Sequence, residues 1–288
     1  MRFPKYWAKG SAEIEDHRGR KHKFSAWGWS DVSKHDAERK GRERADNLGG
    51  RIVGGEQPTR YLYGTSPLRE EVVREFRDRD DKLHSAITIN SYGCQVLNST
   101  ELMAVDVDLP KINSVRLVLY YLTRFISRNA IHPRQKLEAI QLVKVEEYSR
   151  MKPDVGIRVY RTHSGLRYLF INHKIKPDSE EAAKDMEFLN ADPLYVKLCK
   201  MQECFRARLT PKSWRCGLRS ITTHYPWENK LQRESYQEWN QEYVKVSTDF
   251  ATCQYIKEYK SAFDQEPVAE LIKIHDQVTK ANTNLPLA

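Results

Sequence analysis

Several features that would set this chain apart from ordinary globular proteins are scarce or missing. Only five cysteines occur in 288 residues, Cys94, Cys199, Cys204, Cys216 and Cys253. Their odd number and the lack of a C-x-x-C pair exclude a zinc ribbon or a disulfide frame and leave reduced, buried thiols. Long apolar runs are missing too. The best candidate, residues 115–126, is interrupted by Arg116, Thr123 and Arg124, whereas a membrane-spanning helix needs roughly 18 consecutive apolar residues; no membrane partner is expected. The opening Met1-Arg2-Phe3-Pro4-Lys5-Tyr6-Trp7 has charge and aromatics but not the apolar core of a secretory signal, so a cytoplasmic location is expected. There are no repeats, no G-x-x-x-x-G-K-[ST] loop and no G-x-S-x-G elbow around Ser164, which argues against an ATP-driven motor and a serine hydrolase. His132, His224 and His275 stand alone, without the Cys/His spacing of a zinc site.

What the chain does have is positive charge. Lys and Arg outnumber Asp and Glu by 48 to 39, a formal charge of +9. Such an excess favours polyanions, because basic side chains near phosphates release condensed counterions. It also serves solubility, so DNA or RNA binding needs a second signal. At this length the chain can bury a core as one large domain or two ordinary ones without cross-links.

Local patterns divide the chain into four stretches. Residues 1–50 read as a small β-hairpin plus helix: strands over 6–10 and 24–29 flank the basic turn Asp16-His17-Arg18-Gly19-Arg20, and Ser30 or Asp31 caps a helix that stops at Gly49-Gly50. Residues 51–84 read as a linker to about residue 67 and then a short helix over 68–76, acidic early and basic late. Residues 85–225 form the α+β core. A hairpin over 85–98 precedes a strand at 102–107 and two helices, the second starting after His132-Pro133. Two strands follow, joined by Thr162-His163-Ser164-Gly165, then helices after Ser179 and after Asp192-Pro193, and finally a basic strand over 204–210. Residues 226–288 read as a C-terminal helical cap anchored by Trp227, Trp239 and Tyr243.

Chemistry concentrates in two places. In Leu102-Met103-Ala104-Val105-Asp106-Val107-Asp108 the two acids sit at i and i+2, so both carboxylates leave one face of a strand. A divalent cation such as Mg2+ accepts a few carboxylates with waters and phosphate oxygens; a solvated strand end is the alternative. Further on, Arg206 and Arg208 share a strand face and lead into Lys212, Trp214 and Arg215. That set can grip phosphates and stack a base, or simply protect an edge strand with charge.

With its apolar lead-in, Asp106-Val107-Asp108 resembles the first motif of archaeo-eukaryotic primases, and Thr162-His163-Ser164-Gly165-Leu166-Arg167 resembles their second. The resemblance spans residues 85–215 and implies a primase-like palm, a split sheet with helices. It further implies metal on Asp106 and Asp108 with Mg2+ or Mn2+, nucleoside triphosphate held by Ser164, Gly165 and Arg167, and template or product DNA or RNA along Arg206, Arg208, Lys212, Trp214 and Arg215. Asp106, Asp108 and Arg167 would then be the catalytic set of a nucleotidyltransferase acting in DNA replication, with any unwinding left to a helicase partner. The sequence departs from the pattern in two places. Arg167 stands where the family carries a histidine, with His163 and His173 to either side; arginine cannot serve as a base but can clamp phosphate. The third acid has no clean match, Glu203 lying nearest the expected place and Asp192 being the other option. An inactive palm that binds DNA or RNA, and a metal-dependent nuclease, are the alternatives. The N-terminal stretch loosely resembles the arm-type DNA-binding modules of phage integrases.

Overall fold

A computed structural model of the chain describes residues 1, 3–57, 67–126, 131–260 and 266–288. It is mixed α+β and divides into two compact units, the smaller drawn from residues up to Glu71 with Thr222–Glu238, the larger from Val72–Ile221 with Trp239–Ala288.

In the smaller unit, strands β1 (Tyr6–Glu15) and β2 (Lys21–Ser30) pair antiparallel. Asp16 closes their turn: one carboxylate oxygen accepts the N–H groups of Arg18 at 2.8 Å and Arg20 at 3.0 Å, and the other faces His22. Helix α1 (Lys34–Val53) begins at Ser33, whose hydroxyl accepts the N–H of Asp36. Ala37, Gly41, Ala45 and Gly49 form a stripe of small buried residues along it, which lets the helix lie directly on the hairpin. The helix therefore runs past the expected stop at Gly49-Gly50. Gly49 is a contact point, since a Cβ there would come within 2.5 Å of the Phe24 ring. The basic residues of α1 are largely paired along the helix, Arg39 with Asp36 and Glu43, Lys40 with Asp36, while Arg44 lies over the Trp29 ring.

The larger unit holds two four-stranded sheets. One has the order β3-β4-β5-β9, built from β3 (Glu71–Arg77), β4 (Leu83–Ile89), β5 (Gln95–Ser99) and β9 (Phe205–Arg208). The other has the order β10-β7-β8-β6, built from β6 (Ala104–Asp108), β7 (Gly156–Thr162), β8 (Gly165–Ile171) and β10 (Cys253–Tyr259). The helices are α2 (Ser114–Ile126), α3 (Pro133–Met151), α4 (Glu180–Phe188), α5 (Pro193–Gln202), α6 (Lys230–Ser247) and α7 (Val268–Thr279).

The apolar run of β8 is explained by its central place, buried on both faces. On one face Leu166, Tyr168 and Phe170 join Val105 and Val107 of β6 under Tyr148 of α3 and Met186 of α4. On the other, Leu169 and Tyr160 meet Leu97 and Ala207 of the first sheet and Leu271 and Ile272 of α7.

Two expectations are corrected. Residues 68–76 are not a helix; most of them form β3, because Val72 and Val73 favour an extended chain and Phe76 reaches the core beside β4. The stretch 226–288 is not purely a helical cap, since β10 pairs with β7 across Tyr255↔Tyr160 and Cys253↔Thr162. Of the expected linker, residues 58–66 lie outside the described residues.

Candidate anion-binding cavity

Strands β6 and β9, the outer strands of the two sheets, run beside each other without sharing a ladder. Backbone groups along that seam need other partners, and two side chains supply them. The Tyr195 hydroxyl lies 2.6 Å from the Ala104 carbonyl and 3.0 Å from that of Arg206, touching both strands. Arg167 does more. In the β6–β8 register it sits directly opposite Asp106. Its Nε donates to Asp106 Oδ1 at 2.6 Å, its Nη2 to Oδ2 at 2.8 Å, and its Nη1 to the Arg208 carbonyl at 2.7 Å. Burial works against the guanidinium cation, yet Asp106 beside it more than restores the charge and raises its pKa.

Behind Arg167 a second layer begins. Nη1 also lies 3.3 Å from His275 Nε2, and His275 Nδ1 lies 3.0 Å from Asp276 Oδ1. Arginine has no acceptor, so His275 Nε2 accepts and Nδ1 carries the proton toward Asp276. Burial lowers the pKa of His275, in keeping with a neutral ring. Asp276 also accepts from the Tyr160 hydroxyl at 2.7 Å and from Arg158 at 2.8 Å.

This arrangement reassigns several candidate residues. Arg167 is 1% exposed and lies at the back of a cavity that it shares with Asp106 and Arg208, with its Nε and both Nη atoms engaged by Asp106 and the Arg208 carbonyl, so in this structure it clamps the fold. Asp106 has both oxygens committed to that clamp. Glu203 is elsewhere: it caps α5 in a left-handed conformation and lines a separate cavity with Lys82, Lys174 and Asp178. The third acid beside Asp106 and Asp108 is Asp192, whose Oδ1 caps α5 by accepting the Leu194 N–H at 2.7 Å. Asp108 is the one acid of the three with no hydrogen bond or ion pair among the described residues. Two of the three acids are thus already engaged, and no cluster of three His, Cys, Asp or Glu side chains suited to a metal occurs among the described residues. The Asp108 carboxylate and Oδ2 of Asp192 are the acidic oxygens left for a cation such as Mg2+ or Mn2+ while Arg167 holds Asp106.

Gly165 and Arg206 also leave the expected site. The Gly165 N–H donates to Thr162 Oγ1 at 3.1 Å, and a Cβ on this glycine would fall 1.9 Å from the Val107 carbonyl, so glycine is there to let β6 approach. Arg206 shares a strand face with Arg208 but is buried, with Nη1 donating to Asn98 Oδ1 at 2.7 Å.

What the fold does bring together is a cavity of about 220 Å3 lined by Asp106, Asp108, Thr162, Ser164, Leu166, Arg167, Asp192, Tyr195, Arg208, Lys212 and Arg215. Arg215 Nη2 donates to Ser164 Oγ at 3.0 Å, and Arg208 Nη1 to the Thr210 carbonyl at 3.2 Å. None of Arg208, Lys212 and Arg215 forms an ion pair among the described residues. Burial and then Arg208 and Arg215 lower the pKa of Lys212, and burial and then Arg208 lower that of Arg215, so mutual repulsion adds to burial. His163 on the rim is lowered by burial and by Arg215, Arg134, Arg208 and Lys212. An anion placed here would relieve that repulsion.

Sequence reasoning passed over Tyr195 and Arg134, and set His275 aside as an isolated histidine. Arg134 donates to the carbonyls of Thr162 and His163 and so braces the turn that carries Ser164. Only its place just after the His132-Pro133 helix start pointed that way. Nothing in the sequence marked the other two. No family model, no curated protein and no solved structure matches the chain.

Proposed function

We propose that this chain is a palm-like protein that binds nucleotide or nucleic acid through the phosphates, using the cavity beside β6 and β8 as an anion site, and that it does so without metal-dependent catalysis. One observation carries this reading: Arg167 pairs with both oxygens of Asp106, which leaves Arg208, Lys212 and Arg215 in one cavity with Asp108 as the carboxylate that has no hydrogen-bond or ion-pair partner among the described residues. Charge-assisted contacts from arginine and lysine to phosphate are the natural use of such a cluster. The primase-like pattern of an acidic strand beside a Ser-Gly turn supports a nucleotide as the phosphate carrier. A replication setting and a helicase partner follow from that resemblance alone.

Nucleotidyl transfer or nuclease chemistry with Mg2+ or Mn2+ is the second reading, favoured by the presence of Asp106, Asp108 and Asp192 in one cavity. It requires Arg167 to release Asp106. Anisotropy with a labelled oligonucleotide in chelator, Mg2+ and Mn2+ separates the two. Binding is expected to persist in chelator. Lys212→Ala and Arg215→Ala are each expected to weaken it across all sequences and to lower the salt slope by about 1, while Asp108→Asn keeps or improves affinity. Binding that needs the metal, or nucleotide incorporation or strand cleavage that Asp108→Asn abolishes, would restore the catalytic reading.

His163 offers an independent check. Burial and then the neighbouring cations hold its pKa down in the free protein. A bound anion offsets the cations' share of that shift, so pyrophosphate is expected to move the His163 titration upward in NMR spectra. Proton uptake then accompanies binding, and affinity rises as pH falls through that range. An unmoved His163 titration under saturating pyrophosphate would place the anion elsewhere.

A further inference from the structure

Beside the cationic cavity two large aromatic rings are left in solvent, Tyr92 at 49% and Trp214 at 44% exposure. Their centroids are 5.4 Å apart with the planes at 81°, so they form an open corner rather than a closed stack. Lys212 belongs to both features. It lines the cavity, and its Nζ lies 5.3 Å from the Trp214 ring centre and 5.7 Å from that of Tyr92.

The corner is built rigidly from behind. Asn90 Oδ1 accepts the N–H groups of Tyr92 at 2.9 Å and Cys94 at 3.1 Å, which fixes the β4–β5 turn. Gly93 in that turn has φ +76, and a Cβ on it would fall 2.4 Å from the Trp239 ring, so the indole rests directly on the turn backbone. Trp239 in turn stacks on Tyr243, with centroids 4.9 Å apart and planes at 10°. The Tyr243 hydroxyl reaches Thr210 Oγ1 at 2.8 Å and the Pro211 carbonyl at 2.6 Å. One pair of rings on α6 therefore holds both the turn that presents Tyr92 and the loop that presents Trp214. Exposed aromatics on a braced support lose little freedom when they bind a flat partner.

We infer that Tyr92 and Trp214 form a base-stacking platform continuous with the phosphate cavity, and that the ligand is therefore an unpaired nucleotide within a single strand. This rests on the phosphate reading of the cavity. In a duplex both faces of a base are covered by its neighbours, whereas an unpaired base can be splayed onto an aromatic ring while its phosphate reaches Lys212 and Arg215. Any base offers such a face, so little sequence preference is expected.

Three probes test this on the full chain: a labelled single strand, its duplex, and a single strand of abasic units that carries phosphates without bases. The single strand is expected to bind about tenfold or more tightly than the abasic strand and the duplex. Trp214→Ala and Tyr92→Ala should each remove much of that advantage and leave abasic binding unchanged, and Trp214→Phe should restore most of it. Normal single-strand affinity in Trp214→Ala and Tyr92→Ala, while Lys212→Ala still weakens binding, would overturn the platform and leave the phosphate site standing. Equal losses on the normal and abasic strands would also overturn it, by showing that the rings only support the loop. If the natural protein binds none of the three probes, the phosphate reading fails and the platform with it.

Discussion

Arg167→Met is expected to cost the larger unit about 3 kcal/mol of stability, the low end of the range for breaking a buried ion pair. Three groups lose their partner at once. Asp106 loses both contacts to its carboxylate, the Arg208 carbonyl loses the donor that bridges the seam between the sheets, and His275 Nε2 loses the N–H it accepts. The Asp106 side chain is 39% exposed and so regains some hydration, which sets the estimate at the low end. Asp106→Asn is the harsher change in kind, since it strands a guanidinium whose side chain is 1% exposed and which cannot shed its proton. For that reason loss of activity in Asp106→Asn would not identify a metal ligand. The pair Arg167→Met/Asp106→Leu removes both charges together and should cost less than the sum of the single changes. Urea unfolding of the wild type, Arg167→Met, Asp106→Leu and the pair gives the coupling directly. A wild-type midpoint for Arg167→Met would mean that the clamp does not hold the seam.

The elements that sequence alone locates are those with their own local signals. The β7–β8 hairpin announces itself by apolar runs around Thr162-His163-Ser164-Gly165, and α4 and α5 by the capping residues Ser179 and Asp192 with Pro193 after the latter. Strand β3 fails this test because Glu70 and Glu71 before Arg74 and Arg77 imitate the charge gradient of a helix; the decisive contacts, pairing with β4 and burial of Phe76, are tertiary. Strand β10 carries Lys257 and Glu258 on an outer strand of its sheet, and such mixed, half-buried sequences look helical until the partner β7 is known.

The site shows the same division. The shared face of Asp106 and Asp108, and the concentration of charge at Arg208, Lys212 and Arg215, are one-dimensional facts and are legible. The role of Arg167 is not, because an arginine reads alike whether it meets a ligand or a buried carboxylate. Only the register that sets it opposite Asp106 decides. Glu203 and Asp192 make a parallel case: they bracket the same helix, and it is the direction of α5 that puts its start, not its end, beside the two aspartates.

Gly28→Ala is expected to destabilise the smaller unit by about 3 kcal/mol or more, at or beyond the usual range for overpacking. The added methyl carbon would lie 2.0 Å from the Ala37 carbonyl oxygen and 2.3 Å from the Gly41 nitrogen. Both are backbone atoms of α1, so no rotamer change can make room and the helix itself must lift. Ala37 and Ala45, each fully buried, would then lose their packing against the hairpin. Gly41→Ala probes the same contact from the helix side, where the new carbon would sit 2.7 Å from Gly10 N and 2.9 Å from the Ala26 carbonyl. Helix propensity alone predicts a gain of about 1 kcal/mol for that change, so a net loss isolates the clash. Gly50→Ala is the matched control: it lies on the same helix with nothing within 4 Å of the new carbon, and should be neutral or slightly stabilising. Urea unfolding followed by circular dichroism ranks the three. A Gly41→Ala protein as stable as Gly50→Ala would show that the helix does not rest on the hairpin backbone.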